Sequence, residues 1–273
     1  MTLPSASARP TSPLPDRDQP GAVELAGVEK TFANGTRALA ALDLAIAPGE
    51  LVSFVGPSGC GKSTVFRLIA GLAEPTAGSV TVMGADPRAA RRAGGVAYVF
   101  QDATLLPWAT VRDNVALPLT LRRVARRERR AAAERALELV GLADHGRDLP
   151  RQLSGGMRMR VSIARALVAR PRLLLMDEPF GALDEMTRQA LQDELLEIWR
   201  REAGTTVLFV THNVFEAAFL STRVVVLSPR PGRVVADLAA PHTAPRDDAF
   251  RATPAFAGLV GEISAALRHG GGA

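Results

Sequence analysis

Residues 56–64 read GPSGCGKST, and they fit the pattern G-x-x-x-x-G-K-[ST]. LVSFV (51–55) runs before them, a short apolar segment between Gly49 and Gly56 that suits a buried parallel strand. After them a helix is expected from Lys62 to about Ala70. A strand, a glycine-rich loop and a helix in this order turn backbone N–H groups toward an anion, and the helix N-terminus adds partial positive charge. Gly56, Gly59 and Gly61 let the chain curl, while Pro57, Ser58 and Cys60 fill the variable positions and Thr64 closes the motif. Cys60 reads as a small filler rather than a reactive group. Lys62 can reach terminal phosphates and Ser63 can ligate Mg²⁺. Only Lys30 and Lys62 are lysines among 33 basic residues, so a bland glycine turn would not account for lysine here.

Such a loop needs a magnesium carboxylate on a neighbouring strand. RLLLMDEP (172–179) offers Asp177 at the C-terminal end of an apolar strand, where open α/β sheets bind ligands. Asp177 would hold Mg²⁺ through water. Glu178 follows and could orient or deprotonate an attacking water.

VELAGVEKTF begins a strand-like segment after Gly21, and GSVTVMG and VAYVF (96–100) read as further strands. From about 102 to 160 the chain turns helical in spacing, with Ala, Leu, Arg and Glu dominant. LLLM (173–176), TVLFV (206–210) and RVVVLS (223–228) then alternate with helical stretches. Strands alternating with helices imply a parallel sheet covered on both faces, an α/β fold. SPRPGR (228–233) reads as a tight turn before VVADL. PSASARPTSPLPDRDQPG has the composition of a disordered leader, and RHGGGA at the other end reads as unstructured.

The chain has 273 residues and a net charge of +5. One cysteine excludes an internal disulfide framework, and no apolar run is long enough to span a membrane. The basic run LRRVARRERR (121–130) reads as a solvated helix face. It lacks the aromatic platform that would argue for nucleic acid, so no nucleic-acid partner is expected.

GPSGCGKST, LSGGM (153–157), LLLMDEP, ALD (182–184) and TH (211–212), in this order, resemble the ATP-binding cassette ATPases, the motor subunits of ABC transporters. The resemblance covers roughly residues 22–240. It implies a P-loop parallel-sheet core with an antiparallel β subdomain and a helical subdomain at about 102–160. Residues 1–21 would be an N-terminal extension and 241–273 a C-terminal one. ATP and Mg²⁺ are the implied cofactors. Gln101 matches a glutamine that senses Mg²⁺ and links the site to a transmembrane partner. His212 matches the switch histidine on the γ-phosphate. Phe32 matches the aromatic that stacks on adenine, although a core role would also suit it. Asp184 matches an aspartate at the dimer contact. Ser154, Gly155 and Gly156 match the signature loop, which in this family touches ATP bound to the opposite subunit. Met157 and Met159 stand where glutamine is frequent.

LLPWATVRDNVALPL and VVVLSPRPGRVV resemble the nitrate/sulfonate/taurine importer branch. The resemblance implies a head-to-tail dimer on the cytoplasmic face of the membrane, beneath permease subunits fed by an extracytoplasmic binding protein. The alternative is a non-transport cassette of repair, chromosome or translation type. The absence of a long coiled coil or a second cassette weighs against it.

Overall fold

The computed structural model describes residues 21–181, 183–201, 204–240 and 246–270. The proposed leader therefore lies outside the described residues, apart from Gly21. Three strands precede the glycine loop. β1 (Val23–Thr31) and β2 (Arg37–Ile46) pair antiparallel. β3 (Leu51–Val55) follows, then the loop, then α1 (Lys62–Ile69). β4 (Ala77–Val82) returns to the free edge of β1, giving a three-stranded sheet β2-β1-β4. β2 is the strand that periodicity did not reveal. Its RALAALDLAI is as compatible with a helix as with a strand, and pairing with β1 decides the outcome.

α2 (Pro87–Arg92) leads into β5 (Val96–Val99). Three helices then form one unit: α3 (Val111–Leu121), α4 (Arg126–Leu139) and α5 (Gly155–Leu167) pack on one another. LRRVARRERR is largely solvent-exposed across the α3–α4 turn and the start of α4.

The chain next forms β6 (Leu173–Asp177), α6 (Glu185–Arg201), β7 (Thr206–Val210), α7 (Val214–Leu220), β8 (Arg223–Leu227) and β9 (Val234–Ala239). The second sheet has the order β5-β6-β7-β3-β8-β9, parallel except for β9. Successive residues of β6 explain its unbroken apolar run. Leu173 and Leu175 join the core shared with α1 and the antiparallel sheet. Leu174 and Met176 join the core shared with the helical unit, α6 and α7. With both faces covered, neither parity can be polar.

The C-terminus departs from expectation. α8 (Asp248–Arg251) and α9 (Pro254–His269) are helical, so Arg268 and His269 of RHGGGA close a helix that Gly270 caps. α9 buries Phe256 and Ile263 against α7 and β8, and this apolar spacing outweighs the glycine-rich tail. Residues 241–245 and 271–273 lie outside the described residues.

Candidate nucleotide site

The sheet order sets the site. Along β5-β6-β7-β3, the C-terminal ends carry in turn Gln101, the Asp177–Glu178 pair, His212 and the glycine loop. One expectation needs correcting: Asp177 is not on the strand next to β3. β7 lies between them, since TVLFV pairs with both LVSFV and LLLMD. Asp177 is nevertheless within reach, because Ser63 leans across from the start of α1 and donates to Asp177 Oδ1 at 3.1 Å.

In the loop, Gly59 and Gly61 have φ of 73° and 110°, backbone that favours glycine. At Gly61 a Cβ would also lie 2.7 Å from Leu39 Cδ2. Lys62 is nearly buried, and its Nζ donates to the carbonyls of Gly56 (2.7 Å) and Pro57 (3.1 Å). The ammonium is thus held inside the curl, where an incoming phosphate can compete for it. Cys60 turns its side chain inward. It is 1% exposed and turned into the core, so only its main chain can face a ligand. Its bulk fills the space behind Gly56, as a filler would.

Asp177 accepts a second hydrogen bond, 2.9 Å from the Tyr98 hydroxyl. Burial, together with the Asp177 charge, pushes the Tyr98 hydroxyl above its usual range, so it stays a donor. Glu178 sits at φ 48°, a conformation uncommon for a residue with a side chain, and its N–H is tied to Val210 O. His212 Nδ1 is 3.2 Å from Glu178 Oε2. Gln101 faces the same place: a Cβ on Gly181 would be 3.9 Å from Glu178 Oε2 and 4.0 Å from Gln101 Nε2.

The remaining expected residues lie apart from this group. Phe32 is exposed at the end of β1 with Lys30 Nζ 5.7 Å from its ring centroid, which removes the core reading. Ser154 caps α5, its Oγ accepting from Met157 N at 3.2 Å. Gly155 is exposed, whereas Gly156 lets α5 approach α6, because a Cβ there would meet Thr187 Cγ2 at 2.6 Å. Met159 is buried in the core and Met157 packs against it, so both departures from glutamine serve apolar packing. Asp184 caps α6 by accepting from Thr187 N at 3.0 Å, which lowers its pKa. Ala182 of ALD lies outside the described residues.

Sequence reading missed Tyr98, although it is the chain's one tyrosine and sits in the strand just before Gln101. It also missed Arg230, whose Nε donates to Gly59 O at 3.1 Å from the β8–β9 turn. Arg188 and Glu216 went unremarked as well.

A glycine loop between a buried parallel strand and a helix, with an acidic pair two strands away, defines a P-loop nucleotide-binding domain. The sequence pattern of the family described as ABC transporter matches residues 39–181. The chain is 46% identical over 237 residues to the taurine import ATP-binding protein TauB of Sinorhizobium fredii, covering 82% of this chain and 86% of that one. It is 42% identical over 262 residues to the aliphatic sulfonates import ATP-binding protein SsuB 1 of Rhizobium johnstonii, covering 96% and 92%. Among solved structures, a dimeric ATP-binding cassette in a post-hydrolysis state with ADP and Pi superposes with a TM-score of 0.72 at 34% identity, covering 80% of this chain and 98% of that one. The chain belongs to the ABC transporter family. Its fold is the ABC ATPase fold, and it is an ATP-binding ATPase.

Proposed function

We propose that this chain energises an ABC importer for small sulfonate-type anions, binding beneath a separate permease on the cytoplasmic face of the membrane. Relatives named as taurine and aliphatic sulfonate import proteins favour import over a repair, chromosome or translation role. Among the described residues no helix is long and apolar enough to cross a membrane, so translocation would need a partner chain. Trp108, 76% exposed, stands on the segment after Gln101, where a permease could cover it.

One observation carries the catalytic reading: Ser63–Asp177 and Glu178–His212 are two hydrogen-bonded pairs at the C-terminal ends of neighbouring strands, one of them reaching the phosphate loop. Ser63 and Asp177 present hard oxygen donors at one point, a set that fits Mg²⁺ held partly through water, with Gln101 close by. When bound, the ion neutralises charge on the phosphate oxygens. Lys62 exchanges its carbonyl partners for the terminal phosphates. Glu178 takes a proton from water as the water oxygen bonds to the γ-phosphorus. The bond from that phosphorus to the β–γ bridging oxygen breaks, and ADP leaves with that oxygen. His212 steadies Glu178 through Nδ1, and with a proton on both ring nitrogens it would also donate to the γ-phosphate through Nε2. Phe32 offers an exposed ring for adenine.

Ser154, Gly155 and Gly156 would complete the site of a second copy, with Asp184 at the contact, in a head-to-tail dimer. An extracytoplasmic binding protein would deliver the anion, and no nucleic acid takes part. Replacing Glu178 tests the chemistry. Glu178→Gln should keep ATP binding while turnover falls by about 10² to 10⁴. Wild-type turnover would remove Glu178 from this role. Uptake of taurine against an alkanesulfonate, in vesicles holding the chain and its permease, tests the cargo.

A further inference from the structure

The site as described leaves unused a buried carboxylate and the partly exposed arginine beside it, which also pairs with Glu185. Glu216, on α7, is 6% exposed. Thr211 Oγ1 donates to its Oε2 at 2.5 Å, and Arg188 Nε lies 3.4 Å from its Oε1. Thr211 Oγ1 also accepts from Asn213 N at 2.9 Å, so the residues either side of His212 are tied together by a hydroxyl that is itself held by this carboxylate. On the far side, Arg188 Nη2 donates to Leu183 O at 2.8 Å, and Nε reaches Phe180 O at 3.5 Å. Those carbonyls belong to the loop that leads from Glu178 to Asp184. Glu178, Arg188, Thr211, His212 and Glu216 all line one cavity.

Stability alone does not explain a carboxylate here. α7 also buries Ala217, Ala218, Phe219 and Leu220, so the helix is enclosed on every side here, and an apolar residue at 216 would avoid the cost of desolvation. What the pair adds is an attraction between Arg188, which is hydrogen-bonded to carbonyls of the loop after β6, and Glu216, which is hydrogen-bonded to Thr211 of the loop after β7. Those two loops carry the groups that must meet, at Glu178 Oε2 and His212 Nδ1.

We propose that Arg188 and Glu216 are positioning residues for hydrolysis, which hold the Thr211–Asn213 segment against the 180–184 segment so that His212 stays on Glu178. The proposal rests on the roles given to Glu178 and His212 above. Neither Arg188 nor Glu216 touches the reacting atoms.

The test uses the full chain and three variants: Glu216→Gln, Arg188→Met and both together. Glu216→Gln keeps the shape and an acceptor for Thr211 but removes the charge facing Arg188. Each single change should lower kcat by about 10- to 100-fold, the scale of a small misplacement of catalytic groups. KM for Mg-ATP should stay within about twofold, because the phosphate loop is untouched. The double variant should be no slower than the slower single one, as for two residues acting as a unit. Assays run below each variant's unfolding midpoint. Wild-type kcat in folded Glu216→Gln would overturn the proposal, as would a loss that appears only in KM or losses that multiply in the double variant. If Arg188→Met fails to fold, Glu216→Gln decides alone by the split between kcat and KM. Glu178→Gln runs alongside. If it turns over normally, the underlying site reading fails; if it is inactive while Glu216→Gln is normal, only the positioning role fails.

Discussion

At the scale of single residues, the site is built from side chains whose ordinary chemistry is set by what they touch. Asp177 accepts from both Ser63 and Tyr98, so its carboxylate is aimed before any ion arrives. Outer partners of this kind tune metal affinity by about 10- to 100-fold. Tyr98→Phe should therefore raise the Mg²⁺ concentration that half-saturates ATPase activity by about tenfold. Nucleotide binding in EDTA should be unchanged, and an unaltered Mg²⁺ requirement would dismiss Tyr98 from the site. Cys60 gives a second check. Buried behind Gly56, it should resist alkylation with or without nucleotide and react fast only when the chain is unfolded, as mass spectrometry of the labelled peptide would show. Rapid labelling of the native chain would contradict the burial. The residues of GPSGCGKST and LLLMDEP were legible because their chemistry is local: glycine for curvature, lysine for charge, a carboxylate at a strand end. Tyr98 and Glu216 were not, because a tyrosine in an apolar strand and a glutamate in a helix acquire a task only through partners 79 and 5 residues away.

At the scale of elements, two helix starts carry most of what is specific here. α5 begins at Ser154 and runs close enough to α6 that Gly156 faces Thr187. Alanine at 156 would gain at most about 1 kcal/mol of helix propensity. It would also press a methyl against a β-branched side chain that cannot swing freely, at about 1–3 kcal/mol for overpacking. The clash wins, so Gly156→Ala should destabilise by about 1–2 kcal/mol in urea denaturation. Adding Thr187→Ser, which removes the offending methyl, should recover most of that loss, and no recovery would locate the cost elsewhere. Asp184 caps α6, and its hydrogen bond from Thr187 N depresses its pKa. A depressed carboxyl stabilises the fold above the unfolded pKa, and that contribution fades as pH falls through the folded value. The advantage of the wild type over Asp184→Ala should therefore be full near neutrality and vanish well below the usual aspartate range, as paired unfolding curves would measure. Strands covered on both faces were legible as unbroken apolar runs. β2 was not, since RALAALDLAI becomes a strand only by pairing with β1. Nor was α9, whose apolar face has meaning only against α7 and β8.

At the scale of the whole molecule, the glycine loop and the LSGGM loop belong to different bodies of the fold: the sheet core, and the helical unit of α3, α4 and α5. Ser63 is hydrogen-bonded to Asp177 within the chain, whereas Ser154 caps its own helix and leaves Gly155 exposed. An exposed helix N-terminus with a hydroxyl and free N–H groups suits a phosphate brought by a second copy. Two chains arranged head to tail would then make two composite sites, each joining one chain's Lys62 to the other's Ser154. Heterodimers carrying Lys62→Ala and Ser154→Arg measure this most directly. The first change removes the phosphate-binding cation, and the second puts bulk and like charge beside the LSGGM loop. With one change on each chain, both lesions fall in one composite site and the other stays intact. With both on the same chain, each site is damaged once. The split pair should therefore retain one ATP held between the chains, seen as nucleotide-dependent cross-linking, and the double-mutant pair should retain none. Both arrangements contain the same substitutions, so general destabilisation is matched. Cross-linking kept only by the double-mutant pair would mean that each chain's Ser154 serves its own nucleotide, and would contradict the composite site.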